Sequence, residues 1–124
     1  MRNKSVGFLD VSISESCEKT THGYLEAFLG GKPSEMQARY VAASPIRYAS
    51  KSTVPALLTH GTEDMLVPIE QSEVFAARLK ELGVEVEFLR LEGAGHADFG
   101  KKPQQALEHL TAFVQKHLLD RKQD

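Results

Sequence analysis

The chain has one cysteine, Cys17, so no disulfide can form within it. It has no apolar run approaching the roughly 20 residues that a membrane-spanning helix needs. Neither sign of charge dominates: 15 basic residues face 17 acidic ones, for a formal net charge of −2. That removes the electrostatic motive for binding nucleic acid or an anionic membrane surface. The opening Met1-Arg2-Asn3-Lys4-Ser5 is charged, but the apolar stretch behind it, Val6 to Leu9, is too short for the core of a signal peptide. The default expectation for location is therefore the cytoplasm. Internal repeats, low-complexity tracts and linkers are lacking too. What remains is 124 residues, 41% apolar and 26% charged, the ordinary composition of one globular domain spanning 1–124.

Hydrophobic pattern divides the chain into short elements. Phe8, Leu9, Val11 and Ile13 suggest a strand over 6–13, weakened by Gly7 and Asp10. A short helix is expected from His22 to Leu29, with Thr20 or Thr21 as its cap and Gly30-Gly31 as its stop. A second helix should run from Glu35 to Ala43 and end at Ser44-Pro45, because the residue before proline avoids the helical region. Arg47 to Thr53 reads as a polar connection. Val54 to Thr59 is nearly all apolar, as an inner parallel strand covered on both faces would be. Val74, Phe75, Leu79 and Leu82 keep a helical period that Gly83 closes. Val84, Val86 and Phe88 then alternate with Glu85 and Glu87, the pattern of a strand near a sheet edge. Leu107, Leu110, Phe113, Val114 and Leu118 mark a last helix after Pro103, followed by a charged, fraying tail from Asp120.

Helix, strand, helix, strand, helix is the order of an α/β protein with parallel strands. Such sheets bind ligands beyond the carboxyl ends of their strands. Two chemistry-bearing loops fall there. One is His60-Gly61-Thr62-Glu63-Asp64-Met65-Leu66-Val67-Pro68; the other is Glu92-Gly93-Ala94-Gly95-His96. They would lie side by side although a helix and a strand separate them in sequence.

These two segments, in this order, resemble the C-terminal part of α/β-hydrolases of the carboxylesterase and prolyl-oligopeptidase kind. Phe28-Leu29-Gly30-Gly31 and Ala43-Ser44-Pro45-Ile46 are similar to segments of bacterial esterases in that group, so the resemblance covers roughly residues 20 to 118. It implies the C-terminal part of an α/β-hydrolase fold, about three mostly parallel strands with flanking helices, as one partial domain. It implies Asp64 as the acid and His96 as the general base of a serine hydrolase acting on carboxylic esters or acyl-peptides, with no cofactor and no metal. An imidazole that titrates near neutrality can take a serine's proton and return it to the leaving group. A carboxylate on its other nitrogen fixes the tautomer.

The pattern is incomplete. Gly-x-Ser-x-Gly occurs nowhere in the 124 residues, nor does a His-Gly-Gly-Gly type segment for the oxyanion hole. Ser5, Ser12, Ser14 and Ser16 do not stand in a strand-turn-helix elbow, and Ser72 follows the acid loop. The expectation is thus an acid- and histidine-bearing part, inactive alone, whose partner is a complementing N-terminal segment or a second copy of itself. The competing expectation is a non-catalytic module that self-associates through the exposed edge of the strand at 6–13.

Each candidate has a plainer role to set beside the catalytic one. Asp64 could simply be a loop or capping aspartate ahead of the helix at Pro68, and Glu63 is a rival acid. His60 reads as a hydrogen-bonded structural residue at a strand end. His22, His109 and His117 read as solvated helix residues, and Cys17 as a small buried hydrophobe. His96-Ala97-Asp98 could be half of a metal site, but no second cluster at ligand spacing accompanies it.

Overall fold

The computed structural model describes residues 23–119. The strand expected at 6–13, Cys17, the cap at Thr20 or Thr21, His22 and the tail from Asp120 lie outside them. The described chain opens in helix α1 (23–29), followed by α2 (Gln37–Ala43) and a turn of 3₁₀ helix (Pro45–Tyr48). Then come strand β1 (Ala56–Gly61), helix α3 (Glu70–Glu81), strand β2 (Val86–Leu91) and helix α4 (Pro103–Val114), which runs into a π-helical turn (Gln115–Leu119). Among the described residues no helix is long and apolar enough to cross a membrane.

β1 and β2 pair in parallel, from Ala56 opposite Val86 to Gly61 opposite Leu91, and α3 joins them. The helix packs on both strands. Its apolar period buries Ala76 and Leu79, and Leu79 is fully enclosed. Gly83 closes it as expected: at φ +75 it takes the left-handed conformation that costs a residue with a Cβ. The Val84 amide then donates back to the Leu79 carbonyl, and Val84 is buried under the helix end.

That closure shifts β2. The alternation of valines put a strand at Val84 to Leu89; Val84 is used to end α3, so pairing starts at Val86. β1 moves with its partner. Pro55, which has no N–H to give a ladder, stays outside, and the strand runs on through His60 and Gly61. β1 is also less covered than an inner strand would be, since Ala56 to Leu58 are only half-buried and Thr59 is exposed.

The other departures are at the chain's two ends. α2 begins at Gln37 rather than Glu35, because Glu35 and Met36 form the turn before it, each amide donating to the Lys32 carbonyl. The connection after Pro45 starts with the 3₁₀ turn instead of loop. Tyr40 is buried and donates its hydroxyl to the Gly31 carbonyl, tying α2 to the end of α1. α4 has the expected period, yet Leu107, Leu110, Val114 and Leu118 form a stripe exposed by 41–65%. The helix buries Ala106, and polar groups along it and the turn after it reach the residues around the start of β2. His109 Nε2 lies 2.7 Å from Glu87 Oε2, Lys116 pairs with Glu85, and His117 Nε2 lies 3.5 Å from the same Glu85 carboxylate. Among the described residues β2 is an edge strand, as expected, and the carboxylates of Glu85 and Glu87 at its start take these partners from the last helix. His117 is no solvated residue: its side chain is 12% exposed and its ring packs 4.4 Å from that of Phe113.

Candidate active site

Both loops that leave the carboxyl ends of the strands are stitched to each other before either reaches its chemical residue. The Thr62 amide donates to the Leu91 carbonyl and the Glu63 amide to the Ala94 carbonyl. In return the Gly93 amide donates to Thr62 Oγ1 at 2.8 Å. The approach is so close that a Cβ at Gly61 would meet the Ala94 carbonyl oxygen at 2.3 Å, so only glycine fits there. Glu63, the rival acid, is exposed and points its backbone into this seam.

Asp64 and His96, 32 positions apart, meet just beyond the seam. His96 Nδ1 lies 2.9 Å from Asp64 Oδ2, the separation expected of an acid that orients an imidazole. Nδ1 must carry the proton, because the carboxylate can only accept. Asp64 Oδ1 accepts from the amides of Leu66 at 2.9 Å and Val67 at 2.8 Å. These bonds make Asp64 a loop-bracing residue as well, one role for each oxygen, but not a helix cap: α3 starts at Glu70 and has no side-chain cap. The carboxylate is 6% exposed while the His96 ring is 47% exposed, so the aspartate is shielded and the imidazole is open to solvent. Burial pushes the Asp64 carboxyl up. The Val67 amide, the His96 ring and the Leu66 amide pull it down, and the outcome lies below the usual carboxylate value.

The histidine loop has its own support. Ala97 takes the left-handed conformation, at φ 60, and turns the chain back. Asp98 then accepts from the Gly95 amide at 2.9 Å and from the Gly100 amide. Asp98 is loop structure, its carboxylate committed to those two amides. Among the described residues no three His, Cys, Asp or Glu side chains are grouped to hold a metal ion.

A mainly apolar groove of about 610 Å³ opens beside the pair, lined by Ile46, Val67, Val74, Phe75, Leu91 and Phe99 among others. That volume suits a small organic substrate or a segment of chain. Sequence reading missed Ile46 and Phe75 as groove residues. It also missed that His60 and Ser72 touch, with Nδ1 and Oγ 2.7 Å apart.

The prolyl oligopeptidase family model matches residues 4–121. The chain is 33% identical over 99 residues to Esterase LipQ of Mycobacterium tuberculosis, covering 73% of this chain and 22% of that one. It is 33% identical over 91 residues to the acylamino-acid-releasing enzyme of Arabidopsis thaliana, covering 73% of this chain and 12% of the enzyme. Its fold superposes on a puromycin-hydrolyzing peptidase of Mycobacterium tuberculosis with a TM-score of 0.68 at 29% identity, covering 87% of this chain and 17% of that one. The chain thus spans less than a quarter of the length of each.

Proposed function

Since this chain belongs to the prolyl oligopeptidase family, we propose that Asp64 and His96 are the acid and base of a serine hydrolase whose nucleophile and oxyanion hole come from sequence outside the 124 residues. The observation that carries this reading is the 2.9 Å contact between the Asp64 carboxylate and His96 Nδ1 at the mouth of the groove. With Nδ1 bonded to the acid, Nε2 is left to take the proton of a serine hydroxyl as it attacks an acyl carbon. The same nitrogen returns that proton to the departing alcohol or amine, and water then repeats the cycle on the acyl-enzyme. Asp64 holds the ring's tautomer and stabilises the imidazolium formed between the two transfers. The substrate class is a small ester or an acyl-peptide, in keeping with relatives named an esterase and an acylamino-acid-releasing enzyme. On this reading the chain alone does not turn over, in keeping with the lack of Gly-x-Ser-x-Gly in its sequence.

The test has two arms. The purified chain should hydrolyse p-nitrophenyl acetate no faster than its His96→Ala variant. Substituted for the matching segment of Esterase LipQ, it should support turnover that falls by about 10³–10⁴-fold or more on His96→Ala. A folded chimaera whose activity is indifferent to His96 sinks the reading.

A second reading is of a non-catalytic module that associates with itself. It is favoured by the uncovered stripe on α4 and by β1, which among the described residues has β2 as its one sheet neighbour. Surfaces of both kinds invite pairing with another chain.

A further inference from the structure

His60 is a buried polar residue that the proposed chemistry does not use. Its Nε2 lies 2.8 Å from the Val67 carbonyl oxygen and 3.3 Å from Asp64 Oδ2. Both of those atoms only accept, so Nε2 carries the proton. In the neutral ring Nδ1 is then bare, and Ser72 Oγ, 2.7 Å away, donates its hydroxyl to it.

The consequence is a closed circuit around the acid loop. Val67 is held at both ends: its amide by Asp64 Oδ1 and its carbonyl by His60. His60 belongs to β1 and Ser72 to α3, the two elements that flank the loop. Met65 and Leu66 at the tip of the loop are exposed, while Val67 is half-buried beside the groove. Beyond the seam at Thr62 and Glu63, this pair of polar groups ties the loop to β1 and α3.

We propose that His60 and Ser72 are positioning residues: Ser72 pins His60 as the Nε2–H tautomer, and that N–H clamps residues 64–67 so that Asp64 presents Oδ2 to His96. The proposal rests on the reading of Asp64 and His96 as acid and base, and its test is kept separate from activity. His60→Leu removes the donor. His60→Gln restores an N–H close to the place of Nε2. Ser72→Ala leaves the imidazole but removes what selects its tautomer.

The whole chain, labelled with ¹⁵N, is compared with these three variants by NMR. In the parent, the His60 ring nitrogens should show the pattern of a protonated Nε2 and a bare Nδ1. His60→Leu should speed amide exchange at Leu66 and Val67 by about tenfold, the scale of one lost buried hydrogen bond, and should broaden away the low-field His96 Nδ1–H resonance. Exchange within β1 and β2 should be unchanged, which separates loss of position from loss of fold. His60→Gln should return both signals towards the parent. Ser72→Ala should mix the two His60 tautomers and speed loop exchange by a smaller factor. If His60→Leu leaves loop exchange and the His96 signal as in the parent, the proposal is wrong. Should that variant not fold, Ser72→Ala decides: unchanged His60 nitrogen shifts and unchanged loop exchange overturn the proposal. Failure of the catalytic reading looks different, because the His96 Nδ1–H resonance would then be indifferent to Asp64→Asn in an otherwise parental chain.

Discussion

Asp64 commits both oxygens, and its ionisation is therefore coupled to the fold. Hydrogen bonds from Val67, His96 and Leu66 outweigh its burial and hold the folded carboxyl below its ordinary value. The unfolded chain has it near 3.9, roughly the value of a free aspartate. A folded value below the unfolded one makes the ionised form part of the native state. Its contribution to stability is complete above the unfolded value and is lost as pH falls through the folded one. Asp64→Asn has no such charge to lose. The parent should accordingly lose more stability than Asp64→Asn between about pH 6 and about pH 3, seen as the change in urea midpoint. Equal losses would mean that the carboxylate's bonds do not favour its charged form. That Asp64 and His96 would meet was legible in the sequence, because each follows one strand of a parallel pair. The Ser72–His60 bond was not, because twelve positions separate the two and no local pattern joins them.

Between elements, geometry is set by glycines of two kinds. Gly83 needs its freedom of φ, and a Cβ there meets nothing within 4 Å. Gly61 needs room, because the Ala94 carbonyl occupies the place of its Cβ. Gly83→Ala should cost about 1 kcal/mol, the price of the left-handed backbone. Gly61→Ala should cost several times as much, since the seam between the acid and histidine loops must open, and it should disturb His96 far more than Gly83→Ala does. Urea unfolding and a ¹H–¹⁵N spectrum read both effects; similar costs for the two would contradict the packing of the seam. Gly83 could be read from sequence because it follows a clear helical period. Strand ends could not: Val84 is apolar whether it closes α3 or opens β2, and only the hydrogen bond to Leu79 distinguishes the two. The carboxylates of Glu85 and Glu87 were likewise readable as acidic and unreadable as the partners of α4.

At the scale of the whole molecule, the described residues leave an apolar stripe open along the last helix, Leu107, Leu110 and Val114 on α4 and Leu118 in the π-helical turn after it, the last 65% exposed. If the self-associating reading holds, light scattering behind size exclusion should show a mass above one chain that falls on dilution, and Leu110→Lys should lower it further. A well-folded monomer at every concentration removes that reading. The period of α4 was plain in the sequence; that its stripe stays open was not, because periodicity says which face is apolar and not what covers it. The parallel ladder has a kinetic consequence as well. Every rung from Ala56–Val86 to Gly61–Leu91 closes the same stretch of chain, with α3 inside it. The entropy of closing that loop is met at the first rung, and later rungs add almost none. Forming α3 first shortens the span to be searched, so its local propensity should govern how fast the site assembles. Ala77, exposed on α3, offers a probe. Ala77→Gly should weaken stability by about 1 kcal/mol, the helix cost of glycine, and most of that change should appear as slower refolding rather than faster unfolding in stopped-flow measurements. Asp64 and His96 sit just past the last rung, so the two halves of the pair come within reach of each other only when this closure is complete.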